Sequence, residues 1–214
     1  MFLIVTATEQ EMAPITRHLT GRSGWTSFVA GIGWLESAVN LTRFLAHHSG
    51  SFQAIINCGV AGAFVGAGPD LLDICLAETE DLADVGILQS DGIHPFDTIL
   101  VPTHFPLDPT LLTRAKATLQ KNGIQPWSGP FVSVMAVSGT LSRGEELRSR
   151  FCALCENMEG AAVARTAQEF HLPCLEIRAI SNMVVNRALS AWRLAEASQR
   201  CAEALSCLLP ELNQ

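Results

Sequence analysis

The sequence predicts an α/β fold with a mixed, largely parallel central sheet flanked by helices, built as a single domain over residues 1–214. Three observations lead there. Short apolar, partly β-branched runs alternate with longer amphipathic segments, as expected of strands buried on both faces and helices laid against them. Turn chemistry separates them, with Asn122-Gly123 and His171-Leu172-Pro173 placed as helix stops. A chain of 214 residues that is 48% hydrophobic and 16% charged can bury one sizeable core and has no disorder signature.

The first strand is expected at Phe2–Thr6. Met1–Ala7 lacks a basic leading region and a small-residue cleavage site, and Glu9 and Glu11 follow at once, so it reads as a strand and not as a signal peptide. Gln53–Asn57, Ile74–Glu78, Phe131–Val137 and Cys174–Ile180 are the further strands. Helices are expected at Trp34–His47, Pro109–Asn122, Gly144–Phe151, Gly160–Phe170 and Ser190–Leu209. The last places Leu194, Ala197, Cys201, Leu205 and Leu208 on one face. Leu82–Pro109 breaks the periodicity with four Asp, two His and four Pro, and is expected to be a surface excursion beside a substrate mouth or at an oligomer contact.

Composition removes several function classes. The net charge is −7 and no Lys/Arg run forms a basic stripe, which argues against nucleic acid as a partner. No apolar run reaches the ~18 residues a membrane span needs, so no membrane partner is expected. Seven cysteines lie scattered in apolar segments, the usage of reduced thiols in a cytoplasmic protein. Cys152 and Cys155 form a lone Cys-x-x-Cys pair without a second pair or a nearby His, so no metal is expected.

Two glycine stretches stand where α/β sheets bind ligands. Gly31-Ile32-Gly33 precedes the Trp34 helix, and Asn57-Cys58-Gly59-Val60-Ala61-Gly62-Ala63 follows an apolar strand, read as a loop at that strand's end. Neither has the spacing of a dinucleotide fingerprint or a phosphate loop ending in Lys-Ser/Thr. Glycines here let backbone N–H groups approach a sugar or an anion; tight turns that merely pack are the alternative.

Three polar clusters sharpen the picture. Thr8-Glu9-Gln10-Glu11-Met12 puts carboxylates at a strand-to-helix corner. Asn157-Met158-Glu159-Gly160 sets a carboxylate at a small-residue helix start, and Glu176-Ile177-Arg178-Ala179-Ile180-Ser181-Asn182 ends a strand on Arg, Ser and Asn. Singly, each is ordinarily a cap or a solvated charge. Together they gather at the mouth of one sheet.

With these motifs the chain resembles the nucleoside phosphorylase superfamily, in particular the hydrolase branch containing methylthioadenosine/S-adenosylhomocysteine nucleosidase. Within that branch it is most similar to the futalosine hydrolases of an alternative bacterial menaquinone pathway. Asn186-Arg187 and Ala191-Trp192-Arg193-Leu194 carry that last likeness. The resemblance runs over nearly the whole chain. It implies a nucleoside-binding fold, cleavage of a purine from a small-molecule nucleoside, no cofactor, and a homo-oligomer of two or more copies. It also implies roles: Glu11 activating water, Arg178 near the water and sugar, Met158 and Glu159 binding ribose, and Ser181 and Asn182 addressing the purine. Val60, Ala61 and Gly62 fall in the substrate loop, and Ala136 and Val137 on the strand that stacks on the base.

Asn182 replaces an Asp of the adenine-cleaving relatives. An amide has no proton to give, but its NH₂ can donate to O6 and N7 of a 6-oxopurine. Hypoxanthine or guanine is therefore favoured over adenine, and futalosine, whose base is hypoxanthine, over methylthioadenosine. Val60 stands where phosphate-using relatives carry a hydroxyl residue, so water is the expected acceptor. The other readings are methylthioadenosine/S-adenosylhomocysteine nucleosidase, purine nucleoside phosphorylase and a non-catalytic nucleoside-binding protein.

Overall fold

A computed structural model describes residues 1–48, 50–89, 92–186 and 192–212. The main sheet comprises β1 (Phe2–Thr6), β2 (Trp25–Val29), β3 (Ala54–Phe64), β4 (Ile74–Leu82), β7 (His104–Pro106), β8 (Trp127–Ser133), β9 (Cys155–Asn157) and β10 (Cys174–Val184). Its order is β10-β4-β8-β9-β3-β1-β2, and β10 also pairs with β3, so five strands close on themselves while β1 and β2 extend from β3. Pairing is parallel along β2-β1-β3-β10 and β4-β8-β9 and antiparallel at β10-β4, β3-β9 and β4-β7, a mixed, largely parallel sheet. The helices are α1 (Glu9–His18), α2 (Trp34–His47), α3 (Pro109–Lys121), α4 (Leu141–Phe151), α5 (Gly160–Glu169) and α6 (Leu194–Leu212). One core cluster lies between the sheet and α1, α3 and α6, another between the sheet and α2 and α5.

Local chemistry sets the corners. α1 opens on a capping box in which the Thr8 side chain accepts from the Glu11 N–H while Glu11 reaches back to the Thr8 N–H. α5 begins with buried Gly160, Ala161 and Ala162, small enough for a helix to lie close on the sheet. On α6, Ala197, Cys201, Leu205 and Leu208 are buried as expected, but Leu194 is exposed at a cavity mouth.

Several expectations need correction. The glycine stretch after Asn57 is not a loop, because β3 runs straight on to Phe64. β10 likewise continues to Val184 through a bulge at Ser181. The strand expected at Phe131–Val137 is displaced to Trp127–Ser133. Gly129 and Pro130 disguised its start. Its expected end leaves the sheet, where the Met135 N–H is taken by Asp84 Oδ2 at 2.8 Å and Met135 and Ala136 are exposed. β2 and β9 were not foreseen. Within the excursion, β7 pairs with β4, and β5 (Ile87–Gln89) and β6 (Gly92–His94) form a separate two-stranded sheet. Arg187, Ser190 and Ala191 lie outside the described residues.

Candidate active site

A cavity of about 270 Å³ opens beside the ends of β1 and β9 and the later residues of β3 and β10, the scale of a small organic ligand and not of a polymer. Its wall includes Glu11, Val60, Ala61, Gly62, Val137 and Met158, and also Glu159, Ser181 and Asn182. Two expected residues are elsewhere. Ala136 is exposed on the loop after β8 and does not line the cavity, because the strand that was to carry it has already ended. Arg178 is 1% exposed and sits behind the wall, where it supports the carboxylates in front.

The acidic side is built around that arginine. Arg178 Nε donates to Glu176 Oε1 at 2.8 Å, and Nη1 lies 3.6 Å from Glu159 Oε2 and 3.3 Å from the Val60 carbonyl. Burial works against the Arg178 charge, but Glu176, Glu159 and Glu11 together more than offset it and raise its pKa. Glu159 is held from its other oxygen by the Gly33 N–H at 2.9 Å, and this is what the Gly31-Ile32-Gly33 stretch contributes. Burial raises the Glu159 pKa, and Arg178 and the Gly33 N–H pull it back.

Glu11 is both a cap and a site residue. Its Oε2 accepts from the Thr8 N–H at 3.1 Å and Thr8 Oγ1 at 2.9 Å, and its Oε1 from the Val60 N–H at 3.1 Å. Gly59 makes the arrangement possible: a Cβ there would lie 2.6 Å from Glu11 Oε1 and 2.7 Å from Arg178 Nη1. The glycine of β3 thus clears space for side chains, where the sequence had suggested a backbone cradle.

At the other side, the bulge of β10 presents Ser181 and Asn182 on successive positions. Ser181 Oγ lies 2.9 Å from Asn182 Oδ1, and that hydroxyl bond leaves Asn182 Nδ2 as the group facing the space over Gly62. A Cβ on Gly62 would meet Nδ2 at 2.9 Å.

Some contributors were missed. Glu156, buried on β9, lines the cavity two residues before Met158, a period-2 relation readable only once β9 is known. Ile32 and Trp192 also line it. Beneath the site, Glu80 and Glu176 converge on Gly160, whose added Cβ would collide with Glu80 Oε1 and lie 2.7 Å from Glu176 Oε2. Burial, and then Glu176, push the Glu80 pKa well up, while Asn157, Arg178 and Ser133 pull it back. Among the described residues no group of three or more His, Cys, Asp and Glu side chains is placed to hold a metal ion.

The phosphorylase superfamily model matches residues 14–210. The chain belongs to the phosphorylase superfamily. It is 33% identical over 214 residues to the futalosine hydrolase of Streptomyces coelicolor, covering 96% of this chain and 86% of that one. It is 28% identical over 194 residues to the 5′-methylthioadenosine/S-adenosylhomocysteine nucleosidase of Maridesulfovibrio salexigens, covering 87% and 80%. The solved structure of a futalosine hydrolase mutant of Helicobacter pylori superposes with a TM-score of 0.87 at 24% identity, over 98% of both chains. These matches agree with the α/β architecture described above, and among the described residues no helix is long and apolar enough to cross a membrane.

Proposed function

We propose that this protein is an N-ribosyl hydrolase that cleaves hypoxanthine from futalosine. One observation carries the proposal: Glu11 and Glu159, far apart in the sequence, share one cavity wall yet are held by different donors. Breaking the N-glycosidic bond leaves positive charge on the ribose and sends the electron pair to the base. Glu11 takes a proton from the attacking water as the water oxygen bonds to C1′, and Glu159 grips the ribose hydroxyls. Arg178 pairs with Glu159 and acts on Glu11 through its charge. The departing base carries its charge on O6 and N7, where Asn182 Nδ2 donates without giving up a proton.

The relatives named futalosine hydrolase support this substrate over an adenine nucleoside. The Val60 N–H is engaged by Glu11, and its side chain has no hydroxyl for a phosphate, which supports water as the acceptor. The test is product chromatography from futalosine, inosine and methylthioadenosine, with and without phosphate. Free hypoxanthine and free sugar, indifferent to phosphate, are expected; a sugar 1-phosphate, or adenine released faster than hypoxanthine, overturns the assignment.

A homo-oligomer is part of the same proposal. Leu35 and Val39 on α2 and Ile99 and Leu100 on the excursion are exposed, whereas Phe105 and Leu107 of that excursion are buried within the fold. Light scattering behind size exclusion should return at least twice the chain mass of 23.0 kDa.

A further inference from the structure

The base end of the cavity contains one ionisable group the reaction above does not use. Glu156 is 3% exposed, yet it lines the cavity. Both of its oxygens are held by one residue of the loop after β8: the Ser138 N–H donates to Oε1 at 2.7 Å and Ser138 Oγ to Oε2 at 2.6 Å. Two donors clamp the carboxylate in place and leave each oxygen with a further acceptor site.

Strand register puts Glu156 opposite Asn182. Gly62 of β3 pairs with Glu156 on one side and with Asn182 on the other, so the three form one row across three adjacent strands. All three face the cavity. Neighbouring strands lie about 4.8 Å apart, so the two side chains flank a floor that carries no side chain of its own. A flat ring system laid over Gly62 meets an amide donor along one edge and a carboxylate along another.

Given the purine-nucleoside reading above, on which this step rests, we infer that Glu156 is a second base-reading residue that accepts the N1–H of a 6-oxopurine. The N1 of hypoxanthine carries a hydrogen and the N1 of adenine carries a lone pair. A buried carboxylate therefore rewards the first and opposes the second, as Asn182 does at O6 and N7. Discrimination is shared between two strands, and neither residue supplies it alone.

The test separates reading the base from merely tethering the loop. Binding of free hypoxanthine and free adenine is measured by calorimetry for the unaltered protein and for Glu156→Gln, followed by kcat/KM for inosine and adenosine. The glutamine can turn its NH₂ toward N1, so the hypoxanthine-to-adenine ratio should fall on the order of 10-fold or more in both measurements. A tethering role would weaken both bases by the same factor, and an unchanged ratio overturns the inference. Ser138→Ala, which removes only the Oγ bond, should shift the ratio less than Glu156→Gln; an equal or larger shift assigns the selectivity to the loop and also overturns it. Selective base binding without turnover would defeat the hydrolase proposal and leave Glu156 in its role. Absence of binding by either base would defeat both.

Discussion

The two ends of the cavity are held together in different ways. At the acidic end, Glu11, Glu159 and Glu176 surround one guanidinium, and the bonds there join several elements: α1 with β3, the Gly33 turn with the start of α5, and Glu176 with Arg178 inside β10. At the base end, Asn182 is oriented by its neighbour Ser181, and Glu156 by Ser138 alone. The first is a network in which moving one side chain unpairs several buried charges, which is costly. The second consists of independent pairs that can change one at a time. Chemistry common to a family belongs in the first setting, and substrate choice in the second.

The largest effect should come from the acidic end. Glu11→Gln keeps the shape but loses the charge proposed to take the water proton, so kcat should drop roughly 10²–10⁴-fold with base binding largely intact. Single-turnover rates and calorimetry together check this. An active Glu11→Gln variant would reduce Glu11 to its capping role, which the Thr8 bonds already give it.

Glu159→Ala should come next. It removes the carboxylate proposed to grip the ribose hydroxyls and leaves Arg178 facing a vacated position, and a loss of about 10²-fold in kcat/KM is expected. The same role requires 2′-deoxynucleosides to react slowly in the unaltered protein. Equal rates for inosine and 2′-deoxyinosine would deny it.

Asn182→Asp addresses the base end and should be gentler. The fold should tolerate a nearly isosteric change, and the Ser181 hydroxyl can still donate to the carboxylate. Adenine nucleosides should gain on hypoxanthine ones by about 10-fold in the ratio of kcat/KM. If both substrates slow by the same factor, Asn182 is only part of the bulge, and the contrast between the two ends disappears.

The order and type of the main elements were legible because hydrophobic periodicity reports burial directly, as at β1 and α2. What misled was glycine. In Asn57–Ala63 it signalled a chain break, yet Gly59 and Gly62 are strand residues whose missing Cβ makes room for Glu11, Arg178 and Asn182. No single-sequence rule tells a glycine that bends the chain from one that admits a neighbour from another element. β9 is three residues long, too short for alternation to register, and with it Glu156 went unseen. Motif resemblance pointed to Glu11, Glu159, Ser181 and Asn182, and the structure brings all four to one cavity. The resemblance pointed to Arg178 too, but the position of that residue behind the wall follows from register and not from its motif.

The smallest expected effect lies beneath the acidic end, at Glu80. Its folded pKa is raised, by burial first and then by Glu176, so the folded chain keeps a proton that the unfolded chain releases above the ordinary carboxylate range. Stability should therefore be fully present at pH below that range and fall as pH rises, by at most about 1.4 kcal/mol per pH unit for this one group. Glu156 and Glu159, also raised by burial, act with the same sign. Glu80→Gln carries no charge at any pH and keeps one acceptor for Asn157 or Ser133. Thermal melts from pH 5 to 8 should thus show a shallower decline for the variant than for the unaltered protein. Parallel slopes would mean that Glu80 is ionised in the folded state. The acidic network would then carry one more buried negative charge, with only Arg178 to oppose it.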